Sequence, residues 1–205
     1  TSSNNIPTES NHIRNISTTS TTITSNAKST LLLVKATLEE IVDEKEVKKI
    51  IGTHKIIQRT ITKIEETLKQ SNSSSIEVDS ILLFEALRAA SRTKSSRITS
   101  KALDTLSKLF SFRAIDESIL VNPPDSMASN EQDETNDNSG ITPPPKQRLI
   151  DAAIDTIADC FQGEGTDERV ELQIIRSLSG CILVEDANSL CHGASLLKAI
   201  RTIYN

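Results

Sequence analysis

Aliphatic side chains recur at every third or fourth position through most of this chain, a spacing that fits one face of an α-helix and not the two-residue period of a strand. Leu31, Val34, Leu38, Ile41 and Val42 form a first stripe. Val47, Ile50, His54, Ile57, Ile61, Ile64 and Leu68 form a longer second one, and the two helices are expected to pack as an antiparallel hairpin. Asp43, followed three positions later by Glu46, has the spacing of a cap for the amides that open the second helix, which places the turn near Asp43.

Residues Ile81 to Ala90 are apolar almost all round, which predicts a helix enclosed by its neighbours. After the polar break SRTKSS, Ile98, Ala102, Leu103, Leu106, Leu109 and Phe110 share one side of a helix, with Lys101, Asp104, Thr105 and Lys108 on the other. Leu149, Ile150, Ala153, Ile154, Ile157, Ala158 and Phe161 mark the next helix, stopped by the glycines of FQGEGTDE. Thr166 is the expected cap of the helix that follows, with Asp167 and Glu168 favourable to its dipole. Its stripe is Val170, Ile174, Ile175, Leu178 and Ile182, and a last helix from Gly193 to Tyr204 presents Leu196, Leu197, Ile200, Ile203 and Tyr204.

Seven helices without an alternating segment predict an all-α fold of stacked antiparallel helix hairpins, an armadillo-like α-solenoid segment. The last stripe is wide for a terminal helix, so the chain reads as a piece of a longer solenoid. Aromatic residues make up only 2% of the sequence and Trp is absent, so the core must be aliphatic. Two segments lack the pattern. Residues 1–28, rich in Ser, Thr and Asn, read as a disordered tail, and 122–146 as a flexible acidic and proline-rich insert within a helical domain spanning 29–205.

Residues 122–145 carry Asp125, Glu131, Asp133, Glu134 and Asp137 without Lys or Arg, which accounts for the whole formal charge of −5. The remainder sums to zero and offers no evident basic cluster, which argues against a nucleic-acid partner. Cys160, Cys181 and Cys191 are too few and too irregular for a disulfide framework and read as reduced, buried thiols. With His192 they lack the close pairs of a structural zinc site, and His54 reads as a seam residue. No apolar run approaches the roughly 20 residues of a membrane span, so membrane contact is expected to be indirect. GEG at 163–165 resembles a phosphate loop only superficially, because Glu164, Asp167 and Glu168 would repel the ligand. No nucleophile elbow, metal pair, dinucleotide fingerprint or Walker lysine appears, so neither catalysis nor a cofactor is expected.

Several strings carry a resemblance: KEVKK at 45–49, ALDTLSKL at 102–109, RLID at 148–151, CFQGEGTDERVELQIIRSL at 160–178 and KAIRTIYN at 198–205. With them the chain resembles the N-terminal dimerisation and cyclophilin-binding domain of the large Sec7 and BIG-type exchange factors for Arf GTPases. The resemblance implies a non-catalytic regulatory domain of a cytosolic protein recruited to the trans-Golgi network, with the exchange chemistry in a separate Sec7 domain. It implies self-association, contact with a downstream homology region, and binding of an Arf-like small GTPase in its GTP form. The lysine of the GTPase-contacting pattern corresponds to Lys108, and Lys101, Asp104 and Thr105 are expected beside it. The alternative is a purely structural cap of a helical-repeat scaffold with no partner of its own. No motif supports cyclophilin binding.

Overall fold

The structure, a computed structural model, describes residues 25–70, 79–122, 146–182 and 191–204. Most of the expected tail and of the acidic insert lies outside these ranges. The first helix, α1 (Ser25–Val42), starts inside the segment read as tail, and buries Leu31, Val34, Leu38 and Ile41 as its stripe predicts.

The second stripe is two helices, α2 (Lys45–Lys49) and α3 (Ile51–Gln70), broken at Ile50, whose φ of −101° and ψ of 88° leave the helical region. At about 100° per residue Val47, Ile57 and Ile64 span roughly 80–100°, an arc that one straight helix can bury, so the periodicity gives no sign of the break. All three are buried, whereas Ile50, expected in the stripe, is 43% exposed at the break. The cap also differs from expectation. Glu44 takes the N-cap position without a side-chain cap bond, while the Asp43 carboxylate accepts from Lys48 Nζ at 3.2 Å.

Asp79 caps α4 (Ser80–Ser91), its Oδ1 accepting from the Leu82 amide at 3.0 Å. The helix is central as expected, with α3, α5 and α6 against it, although Ile81 faces outward. It also buries Arg88, paired with Glu85 at 3.1 Å and lying 5.8 Å from the Phe84 ring centre. The turn into α5 (Ser96–Ser111) is fixed by the Thr99 hydroxyl, shared between the carbonyls of Ser91 and Thr93, each at 3.1 Å.

A short antiparallel ladder of β1 (Leu120–Val121) and β2 (Gln147–Arg148) pairs Leu120 with Arg148 and Val121 with Gln147, bringing the ends of the acidic insert together. Two-residue strands show no readable alternation. From the ladder the chain enters α6 (Leu149–Ala158), whose Leu149, Ile150, Ala153, Ile154 and Ile157 are buried.

The glycine segment forms a 3-10 turn, Gly163–Gly165, with Gly163 at φ 78°, a conformation that favours glycine. Thr166 does not cap the following helix, because its hydroxyl donates to the Gly163 carbonyl and accepts from the Gln162 amide. Asp167 serves instead, its Oδ1 accepting from Arg169 N at 2.9 Å at the start of α7 (Glu168–Ile182). Val170, Ile174 and Leu178 are buried, whereas Ile175 is exposed. In α8 (Gly193–Ile203) the small Ser195 and Ala199 meet the core. Leu197 and Ile200, with Tyr204 just beyond, face outward, so part of the wide stripe is uncovered. Helix pairing skips along the sequence, α5 lying along α7 and α6 along α8.

Candidate interaction face

The residues expected to meet a partner sit on α5, and the apolar side of that helix fixes their direction. Ile98, Ala102, Leu103, Leu106, Leu109 and Phe110 are all buried, as predicted. Lys101, Asp104 and Lys108, at three- and four-residue spacing, lie on the side opposite that stripe and are partly exposed. Lys108 Nζ reaches Asp104 Oδ2 at 2.7 Å, with the two side chains 43% and 46% exposed. Lys101 pairs with Glu40 of α1.

Thr105 departs from this arrangement. It was expected outward with the others, yet it is 3% exposed, because α1 packs beside this part of α5 and covers it. Its hydroxyl donates to the Lys101 carbonyl at 3.0 Å and lies 3.3 Å from the Thr37 hydroxyl. A partner cannot reach it directly, so its role is to seat α5 on α1.

The face therefore includes acids of α1 and of the turn after it that the α5 pattern alone does not name. Arg97 pairs with Glu44 at 3.0 Å, which places three cations, Arg97, Lys101 and Lys108, against three acids, Glu44, Glu40 and Asp104. Hydrogen bonding and attraction from Lys101, with Arg97 adding a smaller pull, hold the Glu40 carboxyl below its ordinary range. Such a face has little net charge but a fixed alternation of sign. On such a face a wrongly placed like charge is repelled.

Other polar features lie elsewhere. An open cleft of about 720 Å³ separates Arg92 and Lys94 from Asp159 and Asp167, at the opposite end of α6 from the ladder. Cys160, on its wall, donates to the Thr156 carbonyl at 3.3 Å, and burial pushes its thiol up to about 11. Among the described residues no group of three or more His, Cys, Asp and Glu could hold a metal ion. His192 acts locally, its Nδ1 accepting from Ala194 N at 3.3 Å to cap α8. Asp151 was not singled out from the sequence. It is buried, accepting from His192 N at 2.5 Å and from Arg148 Nε at 3.1 Å, so it ties β2, α6 and α8 together. Its place in RLID was visible, but its partner 41 residues away was not.

The profile of the family described as Mon2/Sec7/BIG1-like, dimerisation and cyclophilin-binding domain, matches residues 25–205. The chain is 64% identical over 196 residues to the ADP-ribosylation factor guanine nucleotide-exchange factor SEC7 of Saccharomyces cerevisiae, covering 96% of this chain and 10% of that protein. It is 34% identical over 136 residues to the human brefeldin A-inhibited guanine nucleotide-exchange protein 1, covering 66% of this chain and 6% of the relative. Against the exchange factor sec71 of Schizosaccharomyces pombe it is 30% identical over 152 residues, 74% of this chain and 7% of that protein. The chain thus spans a tenth or less of the length of these relatives.

Proposed function

This chain belongs to the Mon2/Sec7/BIG1-like dimerisation and cyclophilin-binding family, and from that premise we propose that it is the recruiting and autoregulatory module of a large Arf exchange factor in trans-Golgi vesicle traffic. The matched domain is an interaction domain, and the catalytic Sec7 domain is not among these residues. The module docks an Arf-like small GTPase in its GTP form, supports self-association, and contacts a downstream homology region of its parent.

The observation that carries this reading is the alternating face on α1 and α5, where Lys108 stands half exposed beside Asp104. Lys101, Asp104 and Lys108 are the direct contacts proposed, and Thr105 holds them in register. Fixed ion pairs suit recognition of a polar switch surface because they present charges without reordering long side chains. A pull-down of the GTP- and GDP-loaded GTPase tests the reading. Recruitment requires preference for the GTP form, and equal or absent capture of both forms contradicts it.

A second reading, a structural cap of a longer armadillo-like scaffold, is favoured by α8. Leu197 and Ile200, with Tyr204 after them, form an outward apolar face of the kind a further helix covers. The two readings differ in whether α5 binds anything. Self-association is tested by the mass of the chain at two concentrations, which shifts on dilution if the module associates reversibly.

A further inference from the structure

The zero charge outside the acidic insert conceals an uneven distribution. Residues 45–63 contain Lys45, Lys48, Lys49, Lys55, Arg59 and Lys63 against the single acid Glu46, a net of +5 in a chain of net −5, so all other residues together carry −10. The basic cluster that composition alone did not reveal is the surface of α2 and α3.

Its shape is specific. Lys45 and Lys49, four apart on α2, lie opposite the buried Val47, and Ile51, Lys55 and Arg59 follow at four-residue steps on the outer face of α3, all exposed. At the kink between the helices stand Ile50 and Ile51, the latter 80% exposed. Lys48 pairs with Asp43 and Lys63 with Glu66, whereas no ion pair engages Lys45, Lys49, Lys55 or Arg59 among the described residues. An isoleucine pair at the tip of an elbow, flanked by uncommitted cations, is costly to leave in water.

We propose that the α2–α3 elbow is a direct docking site for an anionic lipid bilayer, with Ile50 and Ile51 entering the headgroup boundary and Lys45, Lys49, Lys55 and Arg59 facing acidic headgroups. Charge complementarity selects the lipid class, since a juxtaposed basic cluster is attracted to the negative surface of an anionic leaflet. The exposed aliphatic pair selects a bilayer over a nucleic acid. It can insert at an interface, whereas single-stranded nucleic acids are held largely by aromatic stacking, and neither α2 nor α3 carries a Phe, Tyr or Trp. Lysine stems can lie along the apolar boundary while their ammonium groups remain among the headgroups. No described helix is long and apolar enough to cross a membrane, so this is contact in the plane of the surface. Such contact is direct, unlike the contact expected from the sequence, and the site is independent of the GTPase face on α5.

Sedimentation of the full chain with vesicles of phosphatidylcholine, alone or with about one-third phosphatidylserine, tests the proposal. Binding is expected to the anionic vesicles, to weaken with salt, and to fall about tenfold or more for Ile51→Asp and, separately, for Lys49→Glu with Lys55→Glu. Ile51→Ser serves as the second apolar variant, and an unchanged melting temperature for either substitution shows that the fold is intact. Equal binding to both vesicle types, or undiminished binding by a folded Ile51 variant, overturns the proposal. Binding to single-stranded RNA in preference to the anionic vesicles, unaffected by Ile51→Asp, overturns it in favour of a polyelectrolyte surface.

Discussion

Ser177 of α7 donates its hydroxyl to the Leu103 carbonyl of α5 at 3.1 Å, and one turn further along Gly180 packs so close to α5 that a Cβ there would fall 2.8 Å from Ser107 Oγ and force that hydroxyl to move. The two helices approach closely because small residues line their contact. Gly180→Val should therefore separate them and destabilise the domain by about 1–3 kcal/mol through overpacking. Chemical denaturation gives the value. An unchanged midpoint would mean that α7 shifts without loss.

Asp151 should behave as a structural acid. Replacing it with Ala leaves the His192 amide without its buried acceptor and removes one partner of Arg148, at an expected cost of about 2–4 kcal/mol. Hydrogen exchange should show the loss first at the start of α8. Uniform protection across α6 and α8 in the variant would contradict this role.

Burial, followed by the nearby Glu117 charge, pushes the Cys181 thiol up to about 12. The unfolded thiol titrates near about 8.5, so above that pH the unfolded chain releases a proton that the folded chain retains. The associated stability is complete below the unfolded value and is lost as pH rises toward 12. Between about pH 9 and 11 this thiol should contribute a decline of up to roughly 1.4 kcal/mol per pH unit. Cys181→Ala should flatten the slope by that amount, and identical slopes in both proteins would refute the assignment.

The helices were legible because burial of one face imposes a period on the sequence, and Leu31 to Ile41, Ile98 to Phe110 and Leu149 to Ile157 all follow it. What failed depends on neighbours distant in sequence. Ile50 fits both the period and the phase of its stripe, yet the backbone leaves the helical region there and the side chain is exposed. Thr105 is polar and beside Lys101 on the helix, yet α1 covers it, and only tertiary packing decides that. The same holds for Glu40, which joins the candidate face from a helix 61 residues earlier than Lys101. In α8 Leu197 and Ile200 face outward while Ser195 and Ala199 face inward, because close approach to α6 favours small residues.

Lys108→Glu bears most directly on the central claim, that the α1–α5 face recruits a GTPase. The substitution places a second acid beside Asp104 at a half-exposed i,i+4 pair, so stability should change by no more than about 1 kcal/mol. Titration of the GTP-loaded Arf-like GTPase at fixed ionic strength should show binding to the variant weakened about tenfold or more, since reversing one interfacial charge exceeds roughly 1.4 kcal/mol. A folded variant that binds the GTP form as tightly as the parent would contradict the account and leave Lys108 a solvated lysine paired only with Asp104.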